Sequence, residues 1–470
     1  PWGSTVVDDV APEFRLILEE NYLSSSIYPL EDTKKNRLLW WMQRKRLDQR
    51  LGKFLRDLED LWLGPWKYLL LGEWSDSKLL DLVQKKLVHD LKHKCKVDVQ
   101  ENLLKVILGG AKSSCEREEC VMKLILNKGC YIGGVGYCDE ESSSSSMRDG
   151  VESLSHSAFK LILEASHEVE EEECLNREPI ILVLDFEVQM LPWENLPVLR
   201  NEEVYRMPSV GSISATLDTC HRRQERAGRD AVVFPLIDPL DAFYLLNPSG
   251  DLSGTQVEFE NWFRDQKMEG RAGTAPTIEE LSLALKSHDL FIYFGHGSGS
   301  QYIPGHEILK LENCAATLLM GCSSGSLSLN GSYTPHGAPL YYLLAGSPVI
   351  VANLWEVTDK DIDRFGKAML DGWLRERSTA SMGCAQCSLV AKEFMSMTIN
   401  GTRGNAKKKI SRKKLPESRD ISTCNDCCNH RPRIGSFMGQ AREVCTLPFL
   451  IGASPVCYGV PTGIRKKKDL

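Results

Sequence analysis

From residue 180 onward, short apolar runs alternate with longer stretches whose apolar residues recur at helical spacing. The apolar runs read PIILVLDF, AVVFPLI, DLFIYFG, CAATLLMG and SPVIVANLW. Helix candidates among them cover 276–288, 336–346 and 358–375. Strands that alternate with helices predict an α/β protein with a mainly parallel sheet covered on both faces. Because sites in such sheets form at the carboxyl ends of the strands, the residues after each apolar run matter most.

Two successive strand ends carry side chains capable of covalent chemistry. His296 follows the run DLFIYFG, and Cys322 follows the run AATLLMG. Adjacent parallel strands would place these two side chains next to each other. A thiolate is a strong nucleophile, and a neighbouring histidine can assist its formation and then protonate a leaving amine. The sequence therefore predicts acyl transfer with Cys322 as nucleophile and His296 as its acid–base partner.

Glycines flank both reactive side chains. They allow the backbone to approach a substrate closely, and the N–H groups of Gly297 and Cys322 are candidates for stabilising a developing oxyanion. An ordinary loop histidine and a buried cysteine are the common alternative, but the matched strand ends argue against it. Serine catalysis at Ser323 or Ser324 is disfavoured because no GxSxG turn surrounds these residues.

The remainder of the chain divides according to its pattern. Residues 1–137 place apolar and charged residues at helical spacing and predict a helical N-terminal region. Residues 138–178 contain a serine run and predict a flexible linker or insertion followed by a lead-in helix. Residues 378–438, rich in Ser, Gly and basic runs, predict a disordered insertion. The chain begins with Pro1 rather than Met, so we expect it to be part of a longer polypeptide.

Composition excludes some classes of function. A net charge of −7 argues against a nucleic-acid-binding surface over the whole body, although basic runs at 407–414 and 465–468 leave direct DNA contact open. No apolar run reaches the roughly 18 residues needed to span a bilayer, so no membrane role is expected. The 16 cysteines are scattered rather than set at the spacing of a disulfide scaffold. This distribution favours a reducing, intracellular compartment.

Two CxxC pairs lie within the predicted insertion. Cys384 with Cys387 and Cys424 with Cys427 resemble the two halves of a structural zinc site. The 36 residues between the pairs exceed the separation in common zinc ribbons. We therefore expect a cysteine-bearing loop, with a structural zinc ion as the alternative, and no other cofactor.

Three segments together resemble the protease core of separases. They are FIYFGHGSGSQYI (291–303), LLMGCSSGSL (318–327) and VIVANLWEVTDKDIDRF (349–365). The resemblance implies a caspase-like parallel sheet flanked by helices, with an inert half over 179–275 and an active half over 276–470. It also implies that Cys322 is the nucleophile, that His296 is the catalytic histidine, and that Gly297 contributes to the oxyanion hole.

The resemblance further implies a biological role. Separases are cysteine endopeptidases that cleave the kleisin subunit of cohesin after arginine and so release sister chromatids at anaphase. Securin holds them inactive as a pseudosubstrate. These family properties imply a protein substrate, a securin-type inhibitor and a location in nucleus and cytoplasm. A catalytically inactive scaffold for protein partners is the alternative.

Arginine specificity requires a carboxylate in the substrate pocket, since a guanidinium pairs best with a bidentate acid. Asp359 and Asp363, just past NLW, are the main candidates, and Glu356 is less favoured. Asp361 fits the first turn of a helix capped by Thr358, a position that acidic residues favour for structural reasons. Trp355 is a candidate wall of the substrate groove, although core packing is the commoner role of such a tryptophan.

Overall fold

The structure is a computed structural model. It describes residues 10–26, 33–73, 77–95, 97–98, 104, 108, 131–132, 157–168, 177–226, 234–328, 331, 335–378 and 432–467. The predicted linker at 138–153 and the four CxxC cysteines lie outside the described residues, as does nearly all of the insertion predicted at 378–438.

The strands and helices of the described residues are numbered in chain order. The strands are β1 (Val97–Asp98), β2 (Tyr131–Ile132), β3 (Ile180–Leu182), β4 (Val204–Arg206), β5 (Leu236–Ile237), β6 (Ala242–Leu246), β7 (Glu269–Ala272), β8 (Leu290–Phe294), β9 (Ala316–Leu319), β10 (Val349–Asn353), β11 (Pro455–Gly459) and β12 (Gly463–Ile464). The α-helices are α1 (Ala11–Ser26), α2 (Lys34–Asp57), α3 (Ser77–Lys94), α4 (Val210–Arg226), α5 (Ser253–Asp265), α6 (Ile278–Ser287), α7 (Gly305–Ile308), α8 (Ala338–Leu344), α9 (Asp359–Ser378) and α10 (Met438–Glu443).

An eight-stranded sheet lies at the centre, in the order β3-β4-β11-β10-β9-β8-β6-β7. Every pair within it is parallel except β10 with β11. Strands β8, β9 and β10 are buried at every position, which explains their continuous apolar sequence. The predicted mainly parallel sheet flanked by helices is therefore confirmed.

The residues assigned to an inert and an active half share this one sheet. Strands from 179–275 form both edges, β3 and β4 on one side and β6 and β7 on the other. Strands from 276–470 lie between them, and β6 pairs with β8 along all five of its residues. The expected boundary at 275 therefore crosses a continuous sheet and a common core rather than separating two sheets.

The helical N-terminal region contributes to two cores. Helices α1 and α2 bury residues such as Phe14, Ile17 and Leu51 in the same core as the central sheet. Helix α3 instead packs with a helical stretch over 157–168 in a separate, smaller core. Between them, a π-helix (Leu58–Leu63) and a 3-10 helix (Gly64–Leu70) end the long α2. In the described residues, no helix combines the length and apolarity needed to cross a membrane.

Candidate active site

The loops after β8 and β9 meet in direct backbone contact. Strand β8 pairs with β9 in parallel register from Leu290 opposite Ala316 onward, so both loops leave the same edge of the sheet. A Cβ atom added to Gly321 would lie 2.0 Å from the carbonyl oxygen of Gly297. Only glycine permits this approach. The adjacency predicted for the loops that carry His296 and Cys322 is therefore present.

The histidine loop is fixed through its main chain. The buried Tyr293 hydroxyl donates a hydrogen bond of 2.6 Å to the carbonyl oxygen of His296, and Gln301 Nε2 donates to the same oxygen at 3.3 Å. Gly297 has φ of +60°, a left-handed conformation that favours glycine. The backbone is thus anchored while the imidazole itself remains exposed.

Asp251 contacts the imidazole and was missed from the sequence. Its Oδ2 lies 2.9 Å from His296 Nε2, and the two side chains are 59% and 52% exposed. This pairing occupies one ring nitrogen and leaves Nδ1 as the other nitrogen of the ring. Asp251 follows β6, the other neighbour of β8, and so lies at the same carboxyl edge. The strand-end rule that selected His296 could also have selected Asp251.

Asn247 shapes the turn that carries Asp251. It adopts φ of +47°, its amide donates to the carbonyl of Phe294, and its Oδ1 accepts from the amide of Leu252 at 2.8 Å. Asparagine tolerates the left-handed region because its short side chain can bond to nearby backbone. The turn after β6 is consequently linked to the end of β8.

Asn353, at the end of β10, organises the nucleophile loop and was also missed. This fully buried residue donates from Nδ2 to the carbonyl of Gly321 at 3.0 Å, and its own carbonyl accepts from the amide of Gly325 at 2.7 Å. Its amide in turn donates to Ser324 Oγ at 3.0 Å. Ser323, beside the nucleophile, has the strained φ of +50°. The loop is therefore held on several sides.

The Cys322 thiol is half-buried and donates to the carbonyl of Val357 at 3.3 Å. Burial raises the pKa of the Cys322 thiol, and the negative charges of Asp359 and Glu356 raise it further. The thiol is therefore protonated at rest, and a base or a nearby cation is needed to form the thiolate.

The two main arginine-pocket candidates differ in exposure. Asp359 lies exposed at the start of α9, whereas Asp363 is 4% exposed and accepts a hydrogen bond of 2.7 Å from Thr255 Oγ1. Burial raises the pKa of Asp363 to about 7, with Asp359 and Glu258 adding to the effect. For Asp359, the protein packed around the carboxylate raises the pKa, His296 lowers it and Asp251 raises it. These charges form an acidic cluster beside Cys322.

The structure places the less favoured candidates in structural roles. Asp361 is 1% exposed, and its carboxylate accepts from the amides of Thr446 and Leu447. Helix α9 does begin directly after Thr358, whose carbonyl accepts from the amides of Asp361 and Ile362. Glu356 accepts a hydrogen bond of 3.0 Å from Ser323 Oγ. Its side chain therefore supports the nucleophile loop.

The assignment of Trp355 to the substrate groove is wrong. The side chain is 1% exposed, its Nε1 donates to the carbonyl of Leu450 at 2.8 Å, and its ring packs edge-on against Phe14. A tryptophan buried on all sides has no face left to line a groove.

A cavity of about 910 Å³ opens elsewhere, between β3, α4 and α8. Its walls include Leu182, Thr216 and Leu344, but neither His296 nor Cys322. Among the described residues, no group of three or more His, Cys, Asp or Glu side chains could hold a metal ion. The chemistry of the described site thus lies with Cys322, His296 and the acidic cluster.

Comparisons with known proteins point to one family. The family model for the separin protease domain matches residues 3–362, which includes the N-terminal helices α1 and α2. Separin of Mus musculus is 33% identical over 442 residues, covering 93% of this chain and 17% of that protein. Separin of Emericella nidulans is 31% identical over 441 residues, covering 90% of this chain and 19% of that protein.

The fold also matches a solved structure. The Saccharomyces cerevisiae separase, solved as a separase–securin complex, aligns with a TM-score of 0.69 at 22% identity. The match covers 97% of this chain and 27% of that one. The chain thus spans about a fifth of the length of the curated relatives it matches. With its protease-domain match and its mainly parallel sheet, the chain belongs to the separin (separase) protease family.

Proposed function

We propose that this chain is a cysteine endopeptidase that cleaves proteins after arginine. The observation that carries the proposal is the contact between the two strand-end loops, where Gly321 lies against the backbone of Gly297. Gly297 directly follows His296 and Gly321 directly precedes Cys322, so an imidazole and a thiol share one edge of the sheet. Membership of a protease family supports the same reaction.

The reaction begins with transfer of the Cys322 proton to His296. The thiolate attacks the carbonyl carbon of the substrate arginine, and the amides of Gly297 and Cys322 stabilise the oxyanion that forms. The imidazolium gives its proton to the departing amine as the C–N bond breaks. Water then attacks the thioester, His296 accepts a proton from this water, and the acid product leaves as the thiol is restored.

Asp251 supports this cycle by binding Nε2 of the imidazole. The contact fixes the ring so that Nδ1 is the nitrogen available to the thiol and then to the leaving amine. Both side chains are more than half exposed, so the contact is screened by solvent and its energetic effect is modest. Orientation of the ring is its main contribution.

The acidic cluster supports arginine specificity. A substrate guanidinium would find Asp359 at the pocket mouth and Asp363 behind it, and a bidentate pair with a carboxylate is its preferred partner. Binding would also neutralise charges that raise the pKa of the Cys322 thiol. A cationic side chain would thereby favour formation of the thiolate that attacks it.

The substrate and inhibitor proposed from the family are the cohesin kleisin subunit and a securin-type pseudosubstrate. The yeast separase of similar fold was solved in complex with securin, which supports the inhibitor assignment. We propose that the protein acts in the nucleus and the cytoplasm, where chromosome segregation requires such cleavage. The chain spans a small share of its relatives, so these assignments concern the longer protein.

The test is cleavage of a matched peptide set with arginine, lysine, aspartate or alanine before the scissile bond. Wild-type protein is compared with Cys322→Ser and His296→Ala. We expect cleavage after arginine alone, lost by at least about a thousandfold in each variant. Ser323→Ala serves as a control because it removes a neighbouring hydroxyl and retains the thiol.

Two outcomes would overturn the proposal. Folded, inhibitor-free wild-type protein that cleaves none of the peptides would favour a non-catalytic scaffold. Cleavage that persists in Cys322→Ser would assign the chemistry to another nucleophile.

A further inference from the structure

The hairpin of helices α1 and α2 contacts the segment behind the nucleophile. Asn21, fully buried near the end of α1, donates from Nδ2 to the carbonyl oxygen of Glu356 at 3.1 Å. The two residues are 335 positions apart in the sequence. A buried hydrogen bond between elements so distant in sequence fixes one against the other.

A buried arginine holds Asn21 in place. Arg44 of α2 is 0% exposed, and its Nη1 donates to Asn21 Oδ1 and to Ser24 Oγ. Burial lowers the pKa of Arg44 to about 10. Among the described residues, its Nε and Nη2 have no hydrogen-bond partner. Because burying a guanidinium this way is costly, its contact with Asn21 demands a specific explanation.

A second contact ties the same hairpin to the other side of the segment. Asp48 Oδ1 accepts from the amides of Phe449 and Leu450, and the carbonyl of Leu450 accepts from Trp355 Nε1. The ring of Phe14 packs edge-on against Trp355. The hairpin thus braces residues 355 and 356 at two points.

Those residues touch the nucleophile loop directly. The Glu356 carboxylate accepts from Ser323 Oγ, and the next carbonyl, that of Val357, accepts from the Cys322 thiol. The Glu356 carbonyl held by Asn21 belongs to the peptide unit that joins Glu356 to Val357. Rotation of this one peptide would therefore disturb both contacts with the nucleophile loop.

We propose that Asn21 is a positioning residue, through which the α1–α2 hairpin sets the placement of the Cys322 thiol. The inference rests on the proposed peptidase function. It assigns the helical N-terminal region a part in the active site. The hairpin also provides a route by which a partner bound to the helices would alter the rate of cleavage.

The test compares Asn21→Ala with Ser24→Ala. Ser24→Ala removes another acceptor of Arg44 but touches nothing in the nucleophile segment, so it controls for lost packing within the hairpin. For Asn21→Ala we expect kcat on the arginine peptide to fall about tenfold, ~1.4 kcal/mol, with KM changed less than about threefold. Ser24→Ala should keep kcat within about twofold even if both variants lower Tm equally.

A chemical readout separates this inference from the proposed function. Iodoacetamide labelling of Cys322, followed by mass spectrometry across pH, reports the thiol without requiring peptide cleavage. We expect Asn21→Ala to shift the labelling midpoint downward, because a freed Glu356 carboxylate would move away from the thiol. If Asn21→Ala fails to fold, Asn21→Asp keeps the Arg44 partner and removes the donor, and the kcat loss should persist.

The inference is overturned if folded Asn21 variants retain wild-type kcat and Asn21→Ala retains the wild-type labelling profile. It is also overturned if Ser24→Ala reproduces their effects at equal Tm, since the hairpin would then act only through stability. Wild-type protein that labels at Cys322 but cleaves nothing would contradict the proposed function alone.

Discussion

The candidate site has an inner wall and an outer wall that are held differently. The inner wall comprises residues 321–325, Asn353 and Asp363, and it is largely buried and tied to neighbouring strands and helices. The outer wall comprises His296, Asp251 and Asp359, all of them exposed. One side of the site is therefore built from the core, while the other projects from it.

The difference teaches how substitutions should divide between stability and chemistry. An inner-wall change disturbs packed backbone or an uncharged environment, so it should alter both folding and activity. An outer-wall change alters a charge or an orientation in contact with water, so it should alter activity alone. The expected effects therefore decrease from the inner wall to the outer wall.

The largest effect is expected for Gly321→Ala in the inner wall. The new Cβ would lie 2.0 Å from the carbonyl oxygen of Gly297, so the two loops must separate. We expect kcat/KM on the arginine peptide to fall by at least about a hundredfold and the free energy of unfolding to fall by roughly 1–3 kcal/mol. Peptide cleavage and urea denaturation measure the two quantities.

Gly254→Ala is the matched control, because nothing lies within 4 Å of its Cβ position at the start of α5. It should retain stability and activity. Full activity in Gly321→Ala would show that the two loops tolerate separation, and the inner wall would lose its distinction.

Much of this site follows from sequence because consecutive strands β8 and β9 are neighbours. A local pattern of apolar runs located both strands, and the residues after them were His296 and Cys322. Asp251 depends instead on β6 lying on the far side of β8, a pairing that no local periodicity encodes. Strand order is a tertiary property, and it determines which strand ends converge.

Burial was the second property that local sequence did not reveal. Trp355 and Asp363 both follow the end of β10, yet one is a core residue and the other faces Thr255 beside the acidic cluster. The contact of Asn21 with Glu356 is beyond local patterns altogether, since it joins residues 335 positions apart. Such contacts depend on how helices dock rather than on where they begin.

The next prediction concerns the buried carboxylate of Asp363. Burial raises its pKa from 3.8 to about 7 in the folded protein. Between these values the folded state retains a proton that the unfolded state releases, so the free energy of unfolding contributed by this group falls as pH rises toward 7. Asp363→Asn removes that loss. We expect it to be more stabilising at pH 8 than at pH 5 by roughly 1–3 kcal/mol.

Thermal and urea denaturation at both pH values measure this difference, and Asp371→Asn further along α9 is the control, since Asp371 is not buried. The same Asp363→Asn variant should lose kcat/KM on the arginine peptide. Stability that rises equally at both pH values would mean that the gain does not come from the titration of Asp363.

The smallest effect is expected for Asp359→Asn in the outer wall. The charge of Asp359 raises the pKa of the Cys322 thiol, so its removal should lower the pH midpoint of iodoacetamide labelling, by roughly 0.5–1 unit. Because Asp359 is exposed, stability should change by less than about 0.5 kcal/mol. Glu258→Gln removes another exposed charge, one that acts on Asp363 rather than on Cys322, and should leave the midpoint in place. A midpoint that stays put in Asp359→Asn, or a large loss of stability, would place Asp359 with the inner wall and break the division between chemistry and folding.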